Sequence, residues 1–313
     1  VSSKKKHRGW PEAPEPLPVP VVDNHAHLPV LDDDGAPVDE LDVALPPGEA
    51  PLSTAQQLAR AAATGVARVL TVGCDVPSLQ GSVDLAHAHP EVAAALAIHP
   101  NEAPLHAGVR EVAPDGLDPA VRDHHELSLD EAIAAVAELA RDVRVVAVGE
   151  SGLDFFRTGE EGRAHQLRAF REHIALAKEL GKPLQIHDRE AHAEVVDVLL
   201  ADGAPERTVF HCFSGDVDLA RTCAEHGWYA SFAGPVTFKS NDPLRAALRA
   251  LPPELVLVET DAPYLTPAPY RGHPNAPYVM PITVRTVAEQ LGLGLAQTCE
   301  RLTANTDAVY GTW

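Results

Sequence analysis

Cysteine is scarce and scattered. The four in 313 residues are Cys74, Cys212, Cys223 and Cys299, and no two form a C-x-x-C pair. That spacing fits neither a zinc knuckle nor a disulfide framework, and it implies reduced thiols. Long hydrophobic runs are missing as well: no apolar stretch reaches the roughly 20 residues of a membrane span. The basic start, Lys4, Lys5, Lys6 and Arg8, leads into prolines rather than an apolar signal core. The sequence therefore predicts a soluble, cytoplasmic protein with no membrane association. Positive charge is in short supply too, with 25 Lys and Arg against 45 Asp and Glu, a net −20. This argues against broad, sequence-independent coating of nucleic acid. It leaves a nuclease open, because bound divalent cations bring positive charge to the place where a phosphate sits. Much of the acid is local: residues 29–52 hold Asp32, Asp33, Asp34, Asp39, Glu40, Asp42 and Glu49 without one Lys or Arg. No G-x-G-x-x-G loop follows the first apolar run, which weakens the case for an open doubly-wound sheet.

What is present is a large apolar fraction, 45%, arranged in short bursts. Residues 1–18, charged and then proline-rich, read as a disordered or loosely attached tail. From residue 19 to 313 a strand–helix rhythm sets in. Apolar runs near 19–23, 67–73, 92–98, 144–149, 183–187, 207–211, 227–232 and 255–260 give eight candidate strands. They are continuous rather than alternating, as expected of parallel strands covered by helices. Ser53 with Gln56 and Ser128 with Glu131 are capping-box starts. In 160–180, Leu167, Phe170, Ile174 and Ala177 recur at steps of three or four and Gly181 ends the pattern. Further helices are predicted at 77–88, 190–201, 215–226, 241–250, 279–291 and near 295–305. Eight such units fit one α/β domain, a (β/α)8 TIM barrel, for which about 250 residues suffice. The connections 28–52 and 100–127 exceed ordinary loop lengths and leave the carboxyl ends of strands, where barrel enzymes keep their chemistry. They read as a lid or substrate rim, or as solvated insertions.

Polar residues terminate the strands at that same end. The first closes Asp23-Asn24-His25-Ala26-His27, where residues two apart share a face and can hold one ion. The fourth ends at Glu150, whose two oxygens suit a bridge between two cations. The fifth ends at His187, the sixth at His211 and the eighth at Glu259-Thr260-Asp261. The convergence of His25, His27, Glu150, His187, His211 and Asp261 is costly for a buried cluster without compensation, by several kcal/mol. Divalent cations are the economical explanation, and imidazoles favour Zn or Mn over Mg. Glu259, two residues before Asp261, suits a supporting role behind the ligands. Arg157, Arg189, Lys239 and Arg271 lie just past strand ends and are candidates for gripping phosphates. Phe155, Phe213, Tyr264 and Tyr270 are candidates for stacking bases, or for packing. His87, His89, His106, His124, His125, His165, His173 and His192 fall on helices or insertions and are expected to face solvent.

The segments VVDNHAHL, AIHP, VGESGLDFF, IHDRE, FHCFSG, SFAGPVTFK, ETDAPYLTP and YRGHPNAPYV, in this order over about 20–311, resemble the TatD family of metal-dependent deoxyribonucleases, in the amidohydrolase superfamily. The resemblance implies that His25, His27, Glu150 and Asp261 hold one cation. Glu150 would bridge to a second, held also by His187 and His211, and Asp261 would double as the base for the attacking water. It points to Mg or Mn as the working ions. His99, Arg189, Arg271 and Asn275, within the matched segments, are expected to bind substrate or, for His99 and Asn275, to order loops. The third-strand segment reads His99-Pro100-Asn101, without the second His usual in the family. The implied activity is phosphodiester cleavage in DNA, taken from a strand end, with no obligate protein partner. The same site would serve an ester or amide hydrolase, such as an aminoacyl-tRNA deacylase, because two cations and an activated water suit carbonyl and phosphoryl substrates alike. A cation-binding barrel without turnover is a third reading, disfavoured by the complete ligand and base set.

Overall fold

The computed structural model describes residues 8–30, 45, 46 and 49–313. Eight parallel strands are hydrogen-bonded in sequence order, β1 through β8. They are Val21–Ala26, Val66–Gly73, Val92–Leu96, Val145–Asp154, Leu184–Arg189, Thr208–Phe210, Tyr229–Phe232 and Val256–Val258. The chain is a single-domain (β/α)8 TIM barrel, as the strand rhythm predicts. Its first and last strands meet through a parallel bridge between Ala26 and Ala262. Asp261 N–H donates to the His25 carbonyl there, and His27 N–H to that of Ala262.

The ten helices among the described residues are α1 Thr54–Ala63, α2 Val76–Ala88, α3 Ala103–His106, α4 Leu129–Leu139, α5 Glu160–Leu180, α6 His192–Asp202, α7 Val217–His226, α8 Asp242–Ala250, α9 Pro281–Leu291 and α10 Leu295–Tyr310. Both expected capping boxes are formed, at Ser53 and at Ser128. Strand residues alternate between two cores. Val92, Ala94 and Leu96 of β3 pack outward against the helices. Ala93 and Ala95 turn inward and meet Leu70, Val72, Ala147, Val209 and Leu257, with Tyr310 of α10. Small alanines on the inner face leave room for the polar side chains stacked above them.

One expectation is corrected. Of the segment 1–18, read as a disordered or loosely attached tail, residues 1–7 lie outside the described residues, and from residue 8 onward the chain is a strap. Arg8 donates to the Arg271 carbonyl, His273 to that of Gly9, Tyr278 to that of Pro11 and Arg285 to that of Glu15. Leu17 is buried against α1 and donates its N–H to Thr64. The connection 100–127 contains α3 and a 3-10 turn at Asp123–Glu126. Most of the acidic stretch at 29–52, namely 31–44, 47 and 48, lies outside the described residues.

Candidate metal centre

The inner faces of five strands deliver the expected donors to one end of the barrel. On β5 the order Leu184 out, Gln185 in, Ile186 out, His187 in follows from the period of two. The same alternation brings His211 inward after β6 and Asp261 after β8. The alternation is broken on β1, where the register shifts before Ala26, and on β4 at Glu150. Ala147 faces inward and Val148 outward, so unbroken alternation would turn Glu150 toward the helices. A register shift between Val148 and Ser151 resets the phase. Glu150, Gly152 and Asp154 then line the mouth while Ser151 meets α5. This is a bulge used to re-aim a side chain. Gly152 sits at φ +151, where an added Cβ would lie 2.0 Å from the His187 carbonyl oxygen, so only glycine lets β4 and β5 approach here.

Glu150 is the hub. Its Oε1 lies 2.6 Å from His187 Nδ1, 2.6 Å from His211 Nε2 and 3.5 Å from His99 Nε2. Its Oε2 lies 3.6 Å from His25 Nε2. Asp261 Oδ1 is 3.6 Å from His27 Nε2 and 3.9 Å from His25 Nε2. Asp261 occupies the left-handed backbone region at φ +52, a conformation that tends to persist at functional sites because the surroundings enforce it. The structure thus gathers all six expected donors, with His99 beside them.

The residues fit divalent cations on two grounds. The first is tautomeric. Gln185 donates its amide to the Asn24 carbonyl and to Tyr310 Oη, both at 2.8 Å, which turns its oxygen toward His25 Nδ1 at 3.2 Å. His25 must therefore carry its proton on Nδ1, and the Nε2 lone pair, fully buried and without a hydrogen-bond partner among the described residues, is aimed into the mouth. His211 has the same design: its Nδ1 faces Glu259 Oε1, an oxygen fixed by the Cys212 N–H. The second ground is electrostatic. Burial opposes ionisation of Glu150, yet the imidazoles of His211, His99 and His187 outweigh it and hold the carboxyl well below its usual range. Burial likewise opposes a charge on His187, but Asp154 and Glu150 raise it to about 9. The mouth is built to gather positive charge.

Several residues escaped the sequence reading. Asp154 reaches His187 Nε2 at 3.1 Å and accepts from the Asn101 side chain. Its position four residues beyond Glu150 on one strand face is the signal that could have found it. Asn101 also donates its backbone N–H to His99 Nδ1 at 3.0 Å, so a neutral His99 presents an Nε2–H to the mouth. Gln185, two residues before His187 on the same strand face, carries a like signal, whereas Tyr310 carries none, since it arrives from the last helix.

The outer ring is less uniform. Arg189 and Arg271 are exposed, each stacked over an aromatic ring, Phe156 at 3.9 Å and Phe238 at 4.7 Å. Arg157 is paired with Asp115 at 3.1 Å, and Lys239 is exposed. Asn275, expected to bind substrate or order loops, is buried and spends its amide on the carbonyls of Thr260 and Tyr264. It orders the loop after β8. Phe155 and Phe213 are buried in the core and cannot stack bases. Tyr264 is half exposed and stands edge-on to His27. Three histidines expected in solvent, His106, His125 and His173, are buried instead.

A parallel barrel whose mouth gathers imidazoles and carboxylates around a shared glutamate defines a metal-dependent hydrolase. More narrowly, the chain belongs to the TatD family: the TatD related DNase profile matches residues 22–311. It is 42% identical over 256 residues to the uncharacterized metal-dependent hydrolase TatD of Mycobacterium tuberculosis, covering 80% of this chain and 89% of that one. Identity to the uncharacterized metal-dependent hydrolase YcfH of Escherichia coli K12 is 33% over 274 residues, covering 87% of each. The fold superposes on the crystal structure of YjjV, a TatD homologue from E. coli, with a TM-score of 0.71 at 23% identity, over 93% of this chain and 97% of that one. A TatD-family hydrolase from Entamoeba histolytica gives 0.72 at 17% identity, over 95% and 100%. No helix among the described residues is long and apolar enough to cross a membrane.

Proposed function

We propose that this chain hydrolyses phosphodiester bonds in DNA from a strand end, using two divalent cations, Mg, Mn or Zn. The observation that carries the reading is Glu150 at the centre of the mouth, with one oxygen toward His187 and His211 and the other toward His25. A carboxylate so placed suits a bridge, with His25, His27 and Asp261 completing one cation site and His187 and His211 the other. Two cations held there supply Lewis acidity, lowering the pKa of water and offsetting charge on the phosphate oxygens.

The protein's own groups do the rest. Asp261, at the rim beside His27, takes the proton from the attacking water. As the water oxygen bonds to phosphorus, the bond to the leaving nucleoside oxygen breaks. His99, its Nδ1 occupied by the Asn101 N–H, offers Nε2–H to a non-bridging oxygen. Arg189 and Arg271, exposed on the mouth side, hold neighbouring phosphates of the strand, which supplies the positive charge that the chain as a whole lacks.

The test gives purified enzyme 3′-labelled single-stranded DNA and, separately, aminoacyl-tRNA, with each cation added after chelation. Cation-dependent release of mononucleotides is the expected result. Deacylation with the nucleic acid left intact would replace the phosphodiesterase reading with that of an ester hydrolase.

A further inference from the structure

The insertion between β3 and α4 brings four further residues together, outside the barrel ligands: Glu102, His106, His124 and His125, with donor atoms all within 4.8 Å of one another. Their hydrogen bonds fix the tautomers. His106 donates Nδ1–H to the Leu127 carbonyl at 2.8 Å, so its Nε2 carries a lone pair. That nitrogen is buried and has no partner among the described residues. His125 accepts the Arg122 N–H at its Nδ1, so its Nε2–H donates to Glu102 Oε2 at 2.7 Å. His124 Nε2 lies 2.9 Å from the same oxygen. A hydrogen-bond cluster alone leaves this arrangement unfinished. The Nε2 atoms of His124 and His125 both face Glu102, and nothing is left to satisfy His106, whose orphaned acceptor would cost about 1–3 kcal/mol.

We infer that His106, His124 and Glu102 form an additional divalent-cation site of the two-imidazole, one-carboxylate kind, distinct from the barrel mouth, with Zn²⁺ the cation that this ligand set favours. The Leu127 carbonyl orients His106 and the His125 N–H orients the Glu102 carboxylate, the outer support that metal ligands ordinarily have. Glu102 and His106 stand at the start of the insertion and His124 at its end, so the cation staples α3 to the turn at Asp123–Glu126. The loop between borders a cavity of about 240 Å³ lined in part by Asn101, Leu117 and Arg157. Stapling would fix the shape of that cavity beside the mouth.

The test uses the full chain in a background that disables the mouth, His25→Ala, His187→Ala and Asp261→Asn together. After chelation and dialysis against Zn²⁺, it is expected to retain one tightly held equivalent by elemental analysis. Its Co²⁺ form should show a visible d–d band. Adding His106→Gln should remove both, and Zn²⁺ should no longer slow proteolytic cutting between residues 107 and 122. Should His106→Gln fail to fold by circular dichroism, the part-exposed His124→Gln must give the same loss. An unchanged equivalent in a folded His106 or His124 variant overturns the inference, as does a background protein that binds no Zn²⁺. Metal at the mouth is read separately, since His106→Gln in the wild-type chain should leave those equivalents in place.

Discussion

Asp261 and Gln185 show how differently two residues of one site can matter. Asp261 is the proposed base, and its left-handed backbone is one that asparagine also tolerates. Asp261→Asn is expected to keep the circular dichroism spectrum of the wild type and to lower turnover by about 10²–10⁴-fold, the usual worth of a general base. Gln185 touches no substrate, yet its amide decides which nitrogen of His25 bears the proton. Gln185→Leu should weaken cation binding about 10–100-fold by calorimetric titration, the usual cost of losing a ligand's outer partner. It should also lower the melting temperature, because the Asn24 carbonyl and Tyr310 hydroxyl lose their donor. At this scale the sequence was legible wherever a donor ended an apolar strand, as His187 and Asp261 do. For Asn275 the motif left open whether the amide faces substrate or its own backbone, and its bonds to the Thr260 and Tyr264 carbonyls put it on the backbone.

Among elements, α5 carries the clearest pH signature. His173 on this helix sits in the barrel wall, facing Ser151 Oγ at Nδ1 and accepting the Ile98 N–H at Nε2. Burial lowers its pKa from 6.5 to about 4. The unfolded chain takes up this proton as pH drops through 6.5, while the folded chain resists it until about 4. The stabilisation is therefore complete above 6.5 and is lost on acidification across that window, about 2–3 kcal/mol by pH 4.5. Urea unfolding at pH 7 and 4.5 should show a smaller pH-dependent loss for His173→Gln than for the wild type. The helix pattern already held this clue: Phe170, His173, Ile174 and Ala177 fall on one stripe, and a histidine in an apolar stripe is buried with its neighbours. Strand β4 runs on to Asp154, past the predicted end at Glu150, although Gly149, Ser151 and Gly152 look like a turn. Its bulge, which turns Glu150 inward, has no mark in residue periodicity. The four-residue α3 is too short to show a period at all.

For the molecule as a whole, the order of eight strand–helix units was legible because parallel strands buried on both faces must be continuously apolar. The strap before β1 was not, since proline-rich composition reads the same whether the segment is loose or laid against a wall. Removing residues 1–18 would expose the groove that Leu17 fills and strip acceptors from Tyr278, His273 and Arg285. Burial of one such leucine contributes about 1.5–3 kcal/mol. With the lost hydrogen bonds, the truncated chain should melt about 5–10 °C lower in scanning calorimetry. A melting temperature within a degree of the full chain would show the strap to be energetically idle.

The strap also makes contact at both heights of the barrel. Near residue 8 it grips the backbone of the loop that presents Arg271, and near residue 17 it is tied beneath β2, at Thr64. A single length of backbone thus works as a strut between entrance and foundation. Stiffness at the doorway is inherited from the base, so a lineage that loosens one to admit a different guest also surrenders some of the other's endurance.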